Sequence, residues 1–248
     1  MAVRRSIGGR EVLVSVPESE PRSLVLSLHG TTSTALQQLR YTGMESLPGA
    51  VVAYPQGSVP SRNGYMWDQQ GDLDHLAEVI DGLRQEFSLP RACICGMSGG
   101  ARMACAYASV RSEDVLAVGA VAGLRAPSAT PSSPVPVLAF HGTDDRINPY
   151  GGSRNERWDE SVPESALAWA RINGTEAGRT DVVVGAELSR TTFGDEGSPG
   201  EVTLWTIARG GHTWPGAVSR PLLRMFLGRT SKAINATEHL WAFCEDRL

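Results

Sequence analysis

The chain has 248 residues, 41% of them hydrophobic, and a formal net charge of −4. That length suits one large domain with a full core. The mild, scattered charge argues against nucleic acid as a partner, and no stretch approaches the ~18 consecutive apolar residues of a membrane span.

The N-terminal residues 1–19 begin with a pair of arginines, Arg4 and Arg5, with no long apolar run behind them. They do not read as a signal peptide, and the expectation is a soluble, cytoplasmic chain. Cys93, Cys95, Cys105 and Cys244 have no zinc-like spacing. They are expected to be buried free thiols, with Cys93 and Cys95 on one side of a strand.

The pattern then alternates. Residues 11–17, 23–30 and 50–57 read as strands from their β-branched and leucine content and their turn boundaries. Residues 73–87 place Leu73, Leu76, Ile80, Leu83 and Phe87 at helical spacing. A strand at 91–96 runs into a helix at about 99–111. Strands follow at 114–123 and 136–142, a helix at 163–174 ended by Asn173-Gly174, a strand at 201–208 and a closing helix at 231–246. Three irregular stretches interrupt the series: 55–72, 124–134 and 187–200, the last read as a surface loop or hairpin.

Strand alternating with helix predicts one α/β domain, a mostly parallel central sheet flanked by helices on both faces. In such sheets ligands bind at the carboxyl ends of the strands. One corner there carries chemistry. Gly96-Met97-Ser98-Gly99-Gly100 fits G-x-S-x-G, between a strand and a helix, the setting a nucleophile elbow requires. A serine nucleophile needs a base. His29 and His141 close strands before a glycine, and His75 and His239 sit inside helical patterns. That leaves His212, in a loop after the last strong strand. The base needs an acid to orient it, and Asp144 and Asp145, just past the strand ending in Gly142, both qualify. An oxyanion hole needs two donors. The N–H of Gly99 and that of Thr31, in the loop after an early strand, are the candidates.

Together these motifs resemble the polyhydroxybutyrate-depolymerase-like esterases and their feruloyl and acetylxylan esterase relatives. The resemblance rests on LHGTTST, VVAYPQG, Trp67-Asp68, GMSGGARMA, HGTDDRINPYGG, GGHTWPG and NATEHLWAF, from about residue 10 to the C-terminus. It implies an α/β-hydrolase fold and a Ser98–His212–Asp145 triad, since the family's aspartate is the fifth residue counted from the histidine of HG. It also implies hydrolysis of a small-molecule ester through an acyl-enzyme, without metal or organic cofactor. A thioesterase, an amidase or peptidase, or a non-catalytic binding protein on the same fold are the alternatives.

No cap insertion separates the nucleophile helix from the Asp145 strand, so an open pocket for short acyl or aromatic esters is expected. Trp214 is expected at its rim and Trp67 in its wall, with Tyr150 a weaker candidate. The oligomeric state is not legible.

Overall fold

The computed structural model describes residues 2–68, 70–154, 158–218 and 221–248, without the side chains of 221–223. The strands in chain order are β1 (Val3–Ile7), β2 (Arg10–Ser15), β3 (Ser23–Leu28), β4 (Ala50–Pro55), β5 (Val59–Ser61), β6 (Gly64–Met66), β7 (Ala92–Met97), β8 (Val115–Val121), β9 (Val137–Gly142), β10 (Thr180–Val184), β11 (Leu188–Phe193) and β12 (Val202–Ile207). The helices are α1 (Ala35–Thr42), α2 (Gly71–Phe87), α3 (Gly99–Val110), α4 (Val162–Ile172), α5 (Pro221–Leu227) and α6 (Ala236–Glu245).

Ten strands form one sheet in the order β1-β2-β4-β3-β7-β8-β9-β12-β11-β10. The middle six, β4 to β12, are mutually parallel. Antiparallel strands extend both edges. This is the α/β-hydrolase-like architecture expected from the sequence, with helices on both faces.

Burial on two faces explains the near-continuous apolar strands, because successive side chains point to opposite sides. In β7, Ala92 and Ile94 pack with Leu76, Ile80, Met103, Tyr107 and Trp169 of α2, α3 and α4. Cys93, Cys95 and Met97 face the other side, against Leu240, Trp241 and Phe243 of α6. β9 alternates likewise, with Val137 and Ala139 on the first face and Leu138 and Phe140 on the second.

Local chemistry sets the helix ends. Ser161 and Glu164 make a reciprocal capping box at the start of α4. Thr34 caps α1 by accepting from the Gln37 N–H, and Gly43 stops it in the left-handed conformation.

Several expectations are corrected. The 55–72 segment contains the β5–β6 hairpin (residue 69 lies outside the described residues), whereas 187–200 keeps its hairpin alternative, since it contains β11, paired antiparallel with β10 and β12. The closing helix starts at Ala236, after an Asn235 cap, not at 231. β1, α1, β10 and α5 are additions. The cysteines are not all free. Cys93 and Cys244 form a disulfide across 151 positions, Cα atoms 6.3 Å apart, because β7 turns Cys93 toward α6. Cys95 and Cys105 remain buried thiols, pushed up to about 12 and about 11 by desolvation. No helix among the described residues is long and apolar enough to cross a membrane.

Candidate active site

Ser98 stands between β7 and α3 at φ 54°, ψ −112°. For a residue with a Cβ this is a strained conformation, costing about 1–3 kcal/mol. The surroundings enforce it. The Ser98 N–H donates to Val121 O at 2.8 Å, and its carbonyl accepts from the Arg102 N–H at 3.1 Å. β7 and α3 then touch backbone to backbone: a Cβ on Gly96 would lie 2.5 Å from Gly100 C and 2.8 Å from Leu28 O. Only glycine permits so tight a corner.

Gly99 opens α3 directly against the loop after β3. A Cβ there would clash with Thr31 Oγ1 and lie 2.9 Å from Thr31 N. Among the described residues, neither the Thr31 N–H nor the Gly99 N–H donates to a protein acceptor. The helix start adds the positive end of a backbone dipole.

The Thr31 loop is clamped from several sides. His29 is fully buried; its Nδ1–H donates to Gly30 O at 2.8 Å, and its Nε2 accepts from the Gly57 N–H at 3.0 Å and from Gln56 Nε2 at 2.7 Å. Desolvation lowers its pKa to about 4, against weaker raising effects of Gly30 and Asp72, so the ring is neutral at pH 7. Tyr65 of β6 brackets the loop, accepting from the Thr32 N–H and donating its own N–H to Ser33 O, each at 2.8 Å. Arg102 of α3 donates to Thr31 Oγ1 at 3.2 Å.

His212 and Asp145 come together from the ends of β12 and β9. His212 Nδ1 donates to Asp145 Oδ2 at 2.7 Å, and both residues are buried. Asp145 Oδ1 accepts from the Ile147 and Asn148 N–H groups at 2.9 and 2.8 Å. His141 Nε2 lies 3.3 Å from Oδ2 and donates to Asn148 O at 2.8 Å. Burial by itself would raise the Asp145 carboxyl, but the hydrogen bonds of His141 and His212 outweigh it and hold the group well below the ordinary carboxylate range. Asp144 is solvent-exposed, so Asp145 is the aspartate that meets the histidine.

Ser98 and His212 face one cavity of about 600 Å³, bounded by the Thr31 loop, α1 and α5. None of the three expected substrate-contacting aromatics lines it, which corrects their placement. Trp214 is buried, its indole N–H donating to Thr237 Oγ1 at 3.0 Å, so it braces the His212 loop against α6. Trp67 stacks on His29 at 4.7 Å between ring centroids and donates to His29 O at 2.8 Å. Tyr150 shares a 2.7 Å hydrogen bond with Thr206 Oγ1 and lies against His141. Their polar ends are satisfied inside the protein, and that draws the rings away from the cavity.

Sequence reasoning missed His141, set aside as a turn residue, and the cavity residues Tyr41, Arg40 and Arg224. The HG-to-Asp spacing was a usable signal for His141; the arginines had none.

No protein-family model matches the chain. It is 27% identical over 256 residues to a protein of Nocardia uniformis subsp. tsuyamanensis named "Putative esterase NocK", an alignment covering 90% of this chain and 74% of that one. Among solved structures, the acetyl xylan esterase of Aspergillus awamori superposes with a TM-score of 0.64 at 15% identity, over 86% of this chain and 94% of that one. Esterase PE8 superposes with a TM-score of 0.59 at 19% identity, over 98% and 100%. At these identities the solved structures share the fold with this chain.

Proposed function

We propose that the protein is a serine hydrolase of carboxylic esters, with the whole chain as one catalytic domain and Ser98, His212 and Asp145 as its triad. The 2.7 Å His212–Asp145 pair, opening onto the cavity that Ser98 faces, carries this reading. The His212 ring, held by Asp145 through its Nδ1–H, keeps Nε2 as the base. Nε2 takes the Ser98 proton as Oγ attacks the ester carbonyl. The oxyanion settles between the Thr31 and Gly99 N–H groups, which have no acceptor to give up among the described residues. His212 returns the proton to the leaving alcohol. Water, deprotonated by the same nitrogen, then splits the acyl-enzyme into the acid and free Ser98.

Ester as the substrate class is supported by the name of the Nocardia relative. The resemblance to polyhydroxybutyrate-depolymerase-like and feruloyl esterases points to short acyl or aromatic esters. Ser98→Ala is expected to abolish hydrolysis of 4-nitrophenyl esters and labelling by a fluorophosphonate without lowering the melting temperature. Full turnover in that variant would overturn the assignment. Parallel rates on acyl thioesters and peptides separate ester hydrolysis from its triad-sharing alternatives.

A further inference from the structure

The cavity at Ser98 has a charge character that hydrolysis of a neutral ester does not require. Two guanidinium-bearing residues line it, Arg40 in the last turn of α1 and Arg224 in the last turn of α5. No Asp or Glu lines it among the described residues. Both arginines are exposed, and neither side chain has an ion pair, hydrogen bond or ring contact with another described residue.

Several arginines elsewhere are neutralised. Arg5 meets Glu86, Arg10 meets Asp72, Arg84 meets Asp114 and Arg229 meets Glu187. The chain as a whole is anionic, at −4. A cavity with two unmatched cations therefore runs against the sign of the whole molecule. Concave walls concentrate the field of such charges and favour an oppositely charged ligand. Favourable ends for a cation on a helix account for placing an arginine in the last turn of α1 or α5. They do not account for both lining the same cavity, nor for the lack of a carboxylate there.

We infer, building on the esterase reading, that the enzyme acts on anionic esters: substrates with a carboxylate, or an equivalent oxyanion group, several bonds from the scissile carbonyl. Arg40 and Arg224 bind that group and set specificity. The rest of the lining fits the connecting part of such a molecule. Ile147, Val218 and Leu227 supply apolar contact for a hydrocarbon spacer, while Thr31 sits at the reacting end. Guanidinium is suited to the task because its planar fork can hold two carboxylate oxygens together.

The test compares kcat/KM within matched pairs of esters. One pair carries the charge in the acyl part: mono-4-nitrophenyl glutarate against 4-nitrophenyl pentanoate. The other carries it in the alcohol part: 3-acetoxybenzoate against 3-cresyl acetate. The wild-type protein is expected to favour the anionic member of at least one pair by about tenfold, the scale of one charge-assisted hydrogen bond. The pair that responds identifies the end of the substrate the arginines face. The preference is expected to shrink toward parity in the R40Q/R224Q double variant and as salt rises, since exposed charges are screened. Melting curves of the double variant establish that it is folded.

A wild-type preference for the neutral member of both pairs, or a preference unchanged in the double variant, would overturn the inference and leave the esterase reading intact. Absence of hydrolysis of all four esters by the wild-type protein, together with no fluorophosphonate labelling, would overturn both.

Discussion

His141 and His212 converge on a single oxygen atom, Oδ2 of Asp145, at 3.3 and 2.7 Å. One histidine faces the cavity and the other lies behind, buried between Asn148 O and Tyr150. The second ring holds the carboxylate from the rear while the first, in the proposed mechanism, carries the proton. Removing His141 leaves Asp145 buried with one donor fewer. His141→Leu is expected to lower kcat by about ten- to a hundredfold, the worth of a hydrogen bond to a buried charge, with KM little changed. His141→Gln, whose amide can reach the same acceptors, is expected to recover much of the loss. Equal activity in His141→Leu and the wild type, measured with 4-nitrophenyl esters, would remove His141 from the machinery.

His29 gives the fold a defined response to acid. Its folded pKa, lowered to about 4 from 6.5, means that the unfolded chain takes up a proton at a pH where the folded one does not. Its contribution to stability is therefore intact above pH 6.5 and is lost as the pH falls toward about 4, a total on the order of 3 kcal/mol. His75, also lowered, chiefly by burial, acts in the same direction. Asp145 does not share this window, because its depressed carboxyl loses stability only at more acidic pH. Urea unfolding at pH 7 and pH 4.5 is expected to show a markedly smaller drop for His29→Gln than for the wild type. Identical drops would contradict a neutral, desolvated His29.

The Cys93–Cys244 bond ties the strand that delivers Ser98 to the last helix. Cross-linking so long a loop restricts the unfolded chain, and loss of such a bond typically costs about 2–4 kcal/mol. Cys244→Ser is expected to melt several degrees lower than the wild type under non-reducing conditions. Reductant is expected to lower the wild-type midpoint and leave the variant unmoved. A wild-type midpoint insensitive to reductant after unfolding and refolding would argue against the bond.

The parts of this molecule that were legible in sequence are those with local signals. The six parallel strands announce themselves as apolar runs because both their faces are covered. Ser98 is visible because a sharp strand-to-helix turn demands glycines at fixed offsets. His212 and Asp145 follow from chain order and from the HG-to-Asp spacing. What escaped depends on distant partners. Trp214 reads as a rim residue until Thr237, 23 positions on, is seen to accept its N–H. Cys93 and Cys244 have no spacing signature because a fold, not a motif, joins them. α1 holds only eight residues, about two turns, too short for its periodicity to stand out, although its Thr34 cap and Gly43 stop were there to be read.

The covalent loop between Cys93 and Cys244 encloses Ser98, Asp145 and His212. Any protease cut within it, such as one at the exposed residues 128–130, would leave two fragments still fastened to each other. A nicked molecule would run as one species on a non-reducing gel and as two after reduction. Ser98, Asp145 and His212 would not be parted by diffusion, so cleavage of the peptide chain and disappearance of activity become separable events.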